Sequence, residues 1–171
     1  MKGYVQVYTG DGKGKTTAAI GLAVRAAGAG LKVFLAQFCK AGEYSEIRAL
    51  ERFSDLITCR QYGSGKWLQG RAGDEEIRLA GRGFKEIQRI VSEGGHDLVI
   101  LDEINVAEQF GLVSSADILG LVEDKPVHVE LVFTGREADP RLVERADLCT
   151  EMREIKHYFT QGVLAREGIE N

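Results

Sequence analysis

The sequence predicts an α/β fold, a mostly parallel β-sheet with helices on both faces. Three observations predict it. Apolar runs of strand length alternate with segments of helical periodicity along the chain. The first such run, Tyr4-Val5-Gln6-Val7-Tyr8, leads through Thr9-Gly10-Asp11-Gly12-Lys13-Gly14-Lys15-Thr16-Thr17 into a helical pattern. The segments richest in chemistry, 10–17, 102–103 and 134–136, all fall at the C-terminal ends of predicted strands, where open α/β sheets bind ligands.

The elements follow in order. Residues 3–8 read as the first strand and 15–28 as the first helix, stopped by Gly28-Ala29-Gly30. Residues 32–38 form a second buried strand, 45–53 a short helix and 56–59 a third strand. Residues 61–73 hold four glycines and the only tryptophan, and read as a long loop of the functional kind. A long helix over 74–93 carries Ile77, Ala80, Phe84, Ile87 and Val91 at helical spacing. The apolar run 97–103 ends in two acids. Helical segments near 104–110 and 115–122 follow, then a strand over 126–133 and Thr134-Gly135-Arg136 at its end. A short helix over 140–144, a last strand over 148–155 and a glycine-bearing tail complete the chain.

A length of 171 residues predicts one domain over 1–171, large enough to bury a core without disulfides. The formal net charge of −4, with no dense Lys/Arg tract, argues against a nucleic-acid partner. No apolar run is long enough for a membrane helix, and the chain enters its first strand at once, so no secretory leader is expected. Cys39, Cys59 and Cys149 are too widely spaced for a zinc pattern and read as reduced thiols of a cytoplasmic protein.

The glycine-rich stretch has the layout of a phosphate-binding P-loop. Glycines let the backbone curl its N–H groups toward phosphate oxygens, and the helix adds its positive end. Lys15 would reach the outer phosphates and the Thr16 hydroxyl would hold Mg²⁺. Thr9 stands where the usual pattern has its first glycine, with glycines at 10, 12 and 14 in compensation. Leu98-Val99-Ile100-Leu101-Asp102-Glu103 looks like a Walker B segment, whose acids face a cation held by Thr16. The other reading of Asp102-Glu103 is an acidic helix cap. Arg136 fits a phosphate clamp or a surface arginine paired with Glu137 or Asp139. Arg25 suits a nucleotide contact, a subunit contact or a snorkelling side chain. Trp67, with Tyr62 nearby, suits a cover for a flat ligand or a loop anchor. His96, His128 and His157 share no ligand spacing.

Several segments together carry a family resemblance. They are Thr9 to Ala19, Gln37-Phe38, Leu101-Asp102-Glu103, Thr134-Gly135-Arg136 and Lys156-His157 … Gly162 … Gly168-Ile169-Glu170. In this order, over nearly the whole chain, they resemble the ATP:corrinoid adenosyltransferases of the BtuR/CobO/CobP type. The resemblance implies a RecA-like P-loop fold that binds ATP in the reversed sense along the loop. It implies transfer of the 5′-deoxyadenosyl group of ATP to cobalt(I) of a corrinoid, with release of triphosphate. It further implies Gly10 to Thr17 on the phosphates, Thr16 and Glu103 on Mg²⁺, Arg136 on the phosphate chain and Arg25 on the nucleotide. Trp67 corresponds to the aromatic beside the corrinoid. A homodimer and a flavoprotein-type reductant are implied as well. Asp11 departs from the family's usual asparagine, and Gly65 from a second aromatic, for which Tyr62 is a candidate substitute. Some relatives cover the corrinoid with an N-terminal helical extension, whereas this sequence opens on the first strand. A RecA-like ATPase driven by Glu103-activated water and a nucleotide-binding regulatory module are the rival readings.

Overall fold

The computed structural model describes residues 2–65 and 72–170. The strands are β1 (Val5–Thr9), β2 (Val33–Phe38), β3 (Ile57–Tyr62), β4 (Leu98–Asp102), β5 (Glu130–Thr134) and β6 (Leu148–Glu151). The helices are α1 (Lys15–Gly28), α2 (Ser45–Leu50), α3 (Asp74–Glu93), α4 (Ile104–Gln109), α5 (Ser115–Asp124) and α6 (Pro140–Arg145). Short 3-10 turns occupy Glu51–Phe53 and Tyr158–Gln161.

The strands lie in the order β3-β2-β4-β5-β1-β6, and every pairing among them is parallel. Parallel neighbours need crossovers, and the helices supply them. The central strands β2 and β4 are buried at every position, as their unbroken apolar runs require. Alternate residues feed two cores. Leu35, Ile100 and Val132 pack under α1, whose buried stripe of Ala19, Ala23, Ala26 and Ala27 lets the helix lie close to the sheet. Phe34, Val99, Leu101 and Phe133 face the other way, onto Ala80, Phe84, Ile87 and Val91 of α3 and onto α4, α5 and α6. Among the described residues no helix is long and apolar enough to cross a membrane.

Register positions the site. Gln37 of β2 lies opposite Asp102 of β4, and Tyr8 of β1 opposite Thr134 of β5. The C-terminal ends of four strands therefore form one row.

Some boundaries differ from the sequence expectation. The sheet is wholly rather than mostly parallel among the described strands. Residues 126–129 are not strand. Pro126 has no N–H to give a ladder, Val129 N–H turns back to the Pro126 carbonyl, and Val127 is 74% exposed. Strand β3 runs on to Tyr62 because all six of its residues pair with β2. Strand β6 stops at Glu151, and Met152 beyond it turns under the glycine-rich loop. Ile77 stays 43% exposed, outside the buried stripe of α3.

Candidate active site

The glycine-rich loop joins β1 to α1, and its glycines act in two ways. Gly10 and Gly14 have φ of 94° and 120°, which side chains disfavour. Gly12 lies where an added Cβ would come within 2.6 Å of the Met152 carbonyl oxygen. Its own N–H donates to that oxygen at 2.6 Å, and Met152 N–H donates to Thr9 O at 2.8 Å. The segment after β6 thus backs the loop. Helix α1 starts with no side-chain cap and no acid in its first turn. Its positive end stays uncompensated, the condition for binding an anion.

Lys15 is buried, and its ammonium donates to Gly10 O at 2.6 Å and Gly12 O at 2.8 Å. Burial holds its pKa below the usual lysine value, against an opposing pull from Glu103. Lys13 points to the C-terminal tail. It donates to Ile169 O at 3.0 Å, to Glu170 Oε1 at 2.8 Å and to the Tyr158 hydroxyl at 3.1 Å. Tyr158 in turn bonds Glu170, and Arg166 holds the same carboxylate. The tail motif of the sequence is therefore docked on the phosphate loop. Asp11 is exposed on the loop and Thr17 in the first turn of α1, and Thr9 Oγ1 accepts from Ala138 N–H at 3.1 Å.

Asp102, fully buried, is the hub. Its Oδ1 accepts from the Thr16 hydroxyl at 2.8 Å and the Thr134 hydroxyl at 2.7 Å. Its Oδ2 accepts from Lys40 Nζ at 3.0 Å and Gln37 Nε2 at 3.3 Å. These four donors use the lone pairs a carboxylate offers. Because Thr16 spends its proton on Asp102, its own lone pairs remain free for a cation. Burial works against the Lys40 ammonium, but the charge and hydrogen bond of Asp102 outweigh it and raise its pKa.

Glu103 caps α4 in the left-handed region, φ 60°, a costly conformation for a non-glycine residue. Its N–H donates to Thr134 Oγ1 at 3.0 Å, which fixes the turn. Burial, and then the charge of Asp102, push its carboxyl above the usual range, while Lys40, Lys15 and Arg136 pull it down. The cap and metal readings of this acid are thus compatible: its backbone caps α4, and among the described residues its carboxylate takes no hydrogen bond or ion pair, next in sequence to the Asp102 that holds Thr16. Among the described residues no group of three or more His, Cys, Asp or Glu forms a metal cage. Thr16 and Glu103, with Asp102 behind Thr16, are the oxygen-bearing side chains that could meet a hard cation together with phosphate and water.

Thr134-Gly135-Arg136 divides its labour. Thr134 ties Asp102 to Glu103. Gly135, at φ 135°, lets α4 approach, since an added Cβ would lie 2.9 Å from the Asn105 Cβ. Arg136 is exposed and electrostatically coupled to Lys15 and Glu103. The neighbouring acids are engaged elsewhere: Asp139 with Arg141 at 2.6 Å and Glu137 with Gln109 at 2.8 Å.

Other expected residues stand apart. Arg25 is exposed in the last turn of α1, ten residues and about 15 Å of helix rise beyond the loop. Tyr62 packs on Phe38, with ring centroids 5.6 Å apart, and donates to Glu86 Oε2 at 3.0 Å. An added Cβ on Gly83 would lie 2.3 Å from its ring. That ring is committed to α3. Trp67 lies outside the described residues. Gly65 has φ 76° and lies where an added Cβ would meet Ala41 O at 3.1 Å, a physical reason for the missing aromatic. His96 packs edge-on to Phe34, and His157 accepts from Phe159 N–H in the tail. Burial pushes the Cys39 thiol up to about 12 and Cys59 to about 11, which disfavours the nucleophilic thiolate at both.

Gln37 enters the sequence reading only as part of the resemblance, with no chemical role, and Lys40 and Met152 do not enter it. Lys40 and Gln37 do sit at a strand's C-terminal end, the rule that located the others. Met152 carries no such signal, because its role is played by backbone.

A glycine loop closed by a buried lysine, opposed by Thr16-bound Asp102 with Glu103 next to it, defines a P-loop protein of the parallel α/β class. The chain belongs to the family described as ATP:corrinoid adenosyltransferase BtuR/CobO/CobP, whose profile matches residues 1–171. It is similar to the corrinoid adenosyltransferase of Pseudomonas aeruginosa, 33% identical over 99% of this chain and 84% of that one. It is also similar to those of a Sinorhizobium species, at 33% over 99% and 80%, and of Escherichia coli K12, at 31% over 99% and 86%.

Proposed function

We propose that this chain transfers the 5′-deoxyadenosyl group of ATP to cobalt(I) of a corrinoid and releases triphosphate. The observation that carries the reading is the row of strand ends. The phosphate loop, Thr16, the Asp102–Glu103 pair and Arg136 lie together there, in a chain that matches the adenosyltransferase family end to end. The loop and Lys15 grip the anionic tail of ATP, and Arg136 adds positive charge as the triphosphate leaves. Thr16 and Glu103 would hold Mg²⁺, which when bound neutralises phosphate charge. Asp102 fixes the Thr16 hydroxyl from behind. The cobalt(I) electron pair forms the Co–C5′ bond as the C5′–O bond breaks, and its electrons leave with triphosphate. No proton has to move, so the protein's task is alignment and charge stabilisation.

Trp67 belongs to the corrinoid side of this proposal. The described flanks of its loop, 63–65 and 72–73, lie against the β2–α2 loop and the start of α3. Arg25 is assigned a nucleotide contact through the resemblance, and its distance along α1 suits a partner copy's site better than its own. The reading extends to a cytoplasmic homodimer supplied with electrons by a flavoprotein-type reductant, and the family resemblance is the support for both.

The test is anaerobic incubation with ATP, cobalamin and a strong chemical reductant, followed by absorbance. Adenosylcobalamin forms if the reading holds. Steady release of ADP and phosphate without corrinoid would support the RecA-like ATPase instead. Nucleotide binding without any product would support a regulatory module.

A further inference from the structure

Lys40 is the one cation that hydrogen-bonds the acidic pair among the described residues. Its placement is constructed rather than incidental. Asp102 is wholly buried, and the Lys40 side chain is 21% exposed. The backbone at Lys40 is pressed against the end of β3, where an added Cβ on Gly63 would lie 2.5 Å from Lys40 N. Gly42 N–H donates to Gln61 Oε1 at 3.0 Å, which clamps the same loop to β3. Gln61 Nε2 donates to Gln37 Oε1 at 3.0 Å, and Gln37 donates on to the carboxylate oxygen that Lys40 holds. The Tyr44 ring centroid lies 5.8 Å from the ammonium, and Glu46 and Glu103 are the further acids in range.

Burying an ion pair is costly and contributes little net stability, so its use lies in specificity. Two adjacent acids, one of them bonded to a threonine hydroxyl, would attract a divalent cation by themselves. With Lys40 in place, Asp102 is neutralised and its lone pairs are filled. Of the pair, Glu103 alone is left to meet a cation, which is too little anionic charge for a hard ion that sheds water reluctantly.

We propose that Lys40 is a positioning residue that makes cation binding depend on polyphosphate. It holds Asp102 as a buried hydrogen-bond acceptor for Thr16 and withholds it from the metal. The cation then enters only with phosphate oxygens to complete its shell, as a metal–nucleotide complex. This rests on the cation reading of Thr16 and Glu103 given above.

Mn²⁺ serves as the probe, with free and bound ion counted by electron paramagnetic resonance on the whole protein, with and without ATP. The wild type is expected to bind Mn²⁺ weakly alone and firmly with ATP. Lys40→Met is expected to tighten Mn²⁺ binding without ATP by about tenfold or more, because it exposes a second full negative charge. Lys40→Arg keeps the charge and should stay near wild type. Adding Asp102→Asn to Lys40→Met should cancel the gain. If Lys40→Met does not fold, Lys40→Gln removes the charge and keeps a donor, with the same expectation. A variant that binds Mn²⁺ no better than wild type overturns the inference, and a lysine that only packs or faces phosphate would give that result. Wild type that retains no Mn²⁺ even with ATP overturns the cation reading itself.

Discussion

Thr134→Val replaces one hydroxyl by a methyl at the point where the two acids are joined. The side chain is fully buried, and valine matches it in shape and strand preference, so no cavity opens. Two bonds are lost: the 2.7 Å bond donated to Asp102 Oδ1 and the 3.0 Å bond accepted from Glu103 N–H. A hydrogen bond to a charged group contributes about 1.5–3 kcal/mol, and a partner left unsatisfied costs about 1–3 kcal/mol. The two are not additive, and the expected destabilisation is about 3 kcal/mol. For a chain of this size that lowers Tm by about 6–12 °C. Urea unfolding followed by circular dichroism gives the free energy, and calorimetric titration gives ATP affinity in Mg²⁺. Affinity should fall as well, since the left-handed turn at Glu103 loses its anchor. Thr134→Ser should recover most of both. A valine variant within about 0.5 kcal/mol of wild type, the scatter of ordinary surface changes, would refute the account of Asp102 as a four-donor hub.

Four further outcomes are expected. Lys15→Ala should weaken ATP binding at least about tenfold by calorimetry, through loss of a charge-assisted phosphate contact. Trp67→Ala should leave ATP affinity within about twofold and slow adenosylcobalamin formation about tenfold or more, as loss of one aromatic contact implies; normal transfer would move the corrinoid elsewhere. Glu103→Gln should abolish cation-dependent ATP binding yet raise Tm at neutral pH. The sign follows from its raised pKa: the folded state carries a penalty for the charged carboxylate that the unfolded state does not. That gain should shrink as pH falls through the raised pKa and vanish below the ordinary value of 4.5, so a pH-independent gain would contradict it. Gly65→Phe should cost about 1–2 kcal/mol for a side chain at φ 76°, seen as a lower Tm, and an unchanged Tm would contradict it.

The parts legible in the sequence were those encoded by neighbours. The loop from Thr9 to Thr17, the acids after a Leu-Val-Ile-Leu run and the threonine-glycine-arginine after β5 announce themselves through local pattern and position at strand ends. What the sequence concealed was long-range. Nothing local to Lys40 says that β2 pairs with β4, and only that pairing brings it to Asp102. The same holds for Thr134, which reaches Asp102 because β5 lies beside β4. Likewise, Lys13 meets Glu170 across almost the whole chain length. Glycines were ambiguous for a related reason. Gly63, Gly65 and Gly83 read alike in sequence, yet they answer to Lys40, Ala41 and Tyr62, contacts that only folding creates. At Pro126 the strand boundary differs for a local reason, since the missing N–H outweighs an alternating apolar pattern.

Phosphorus NMR of a single anaerobic turnover addresses the central claim most directly. With ATP, excess cob(I)alamin and Mg²⁺, the account predicts intact triphosphate in equal amount to adenosylcobalamin, and no ADP. ADP with inorganic phosphate, or triphosphate formed without corrinoid, would contradict it.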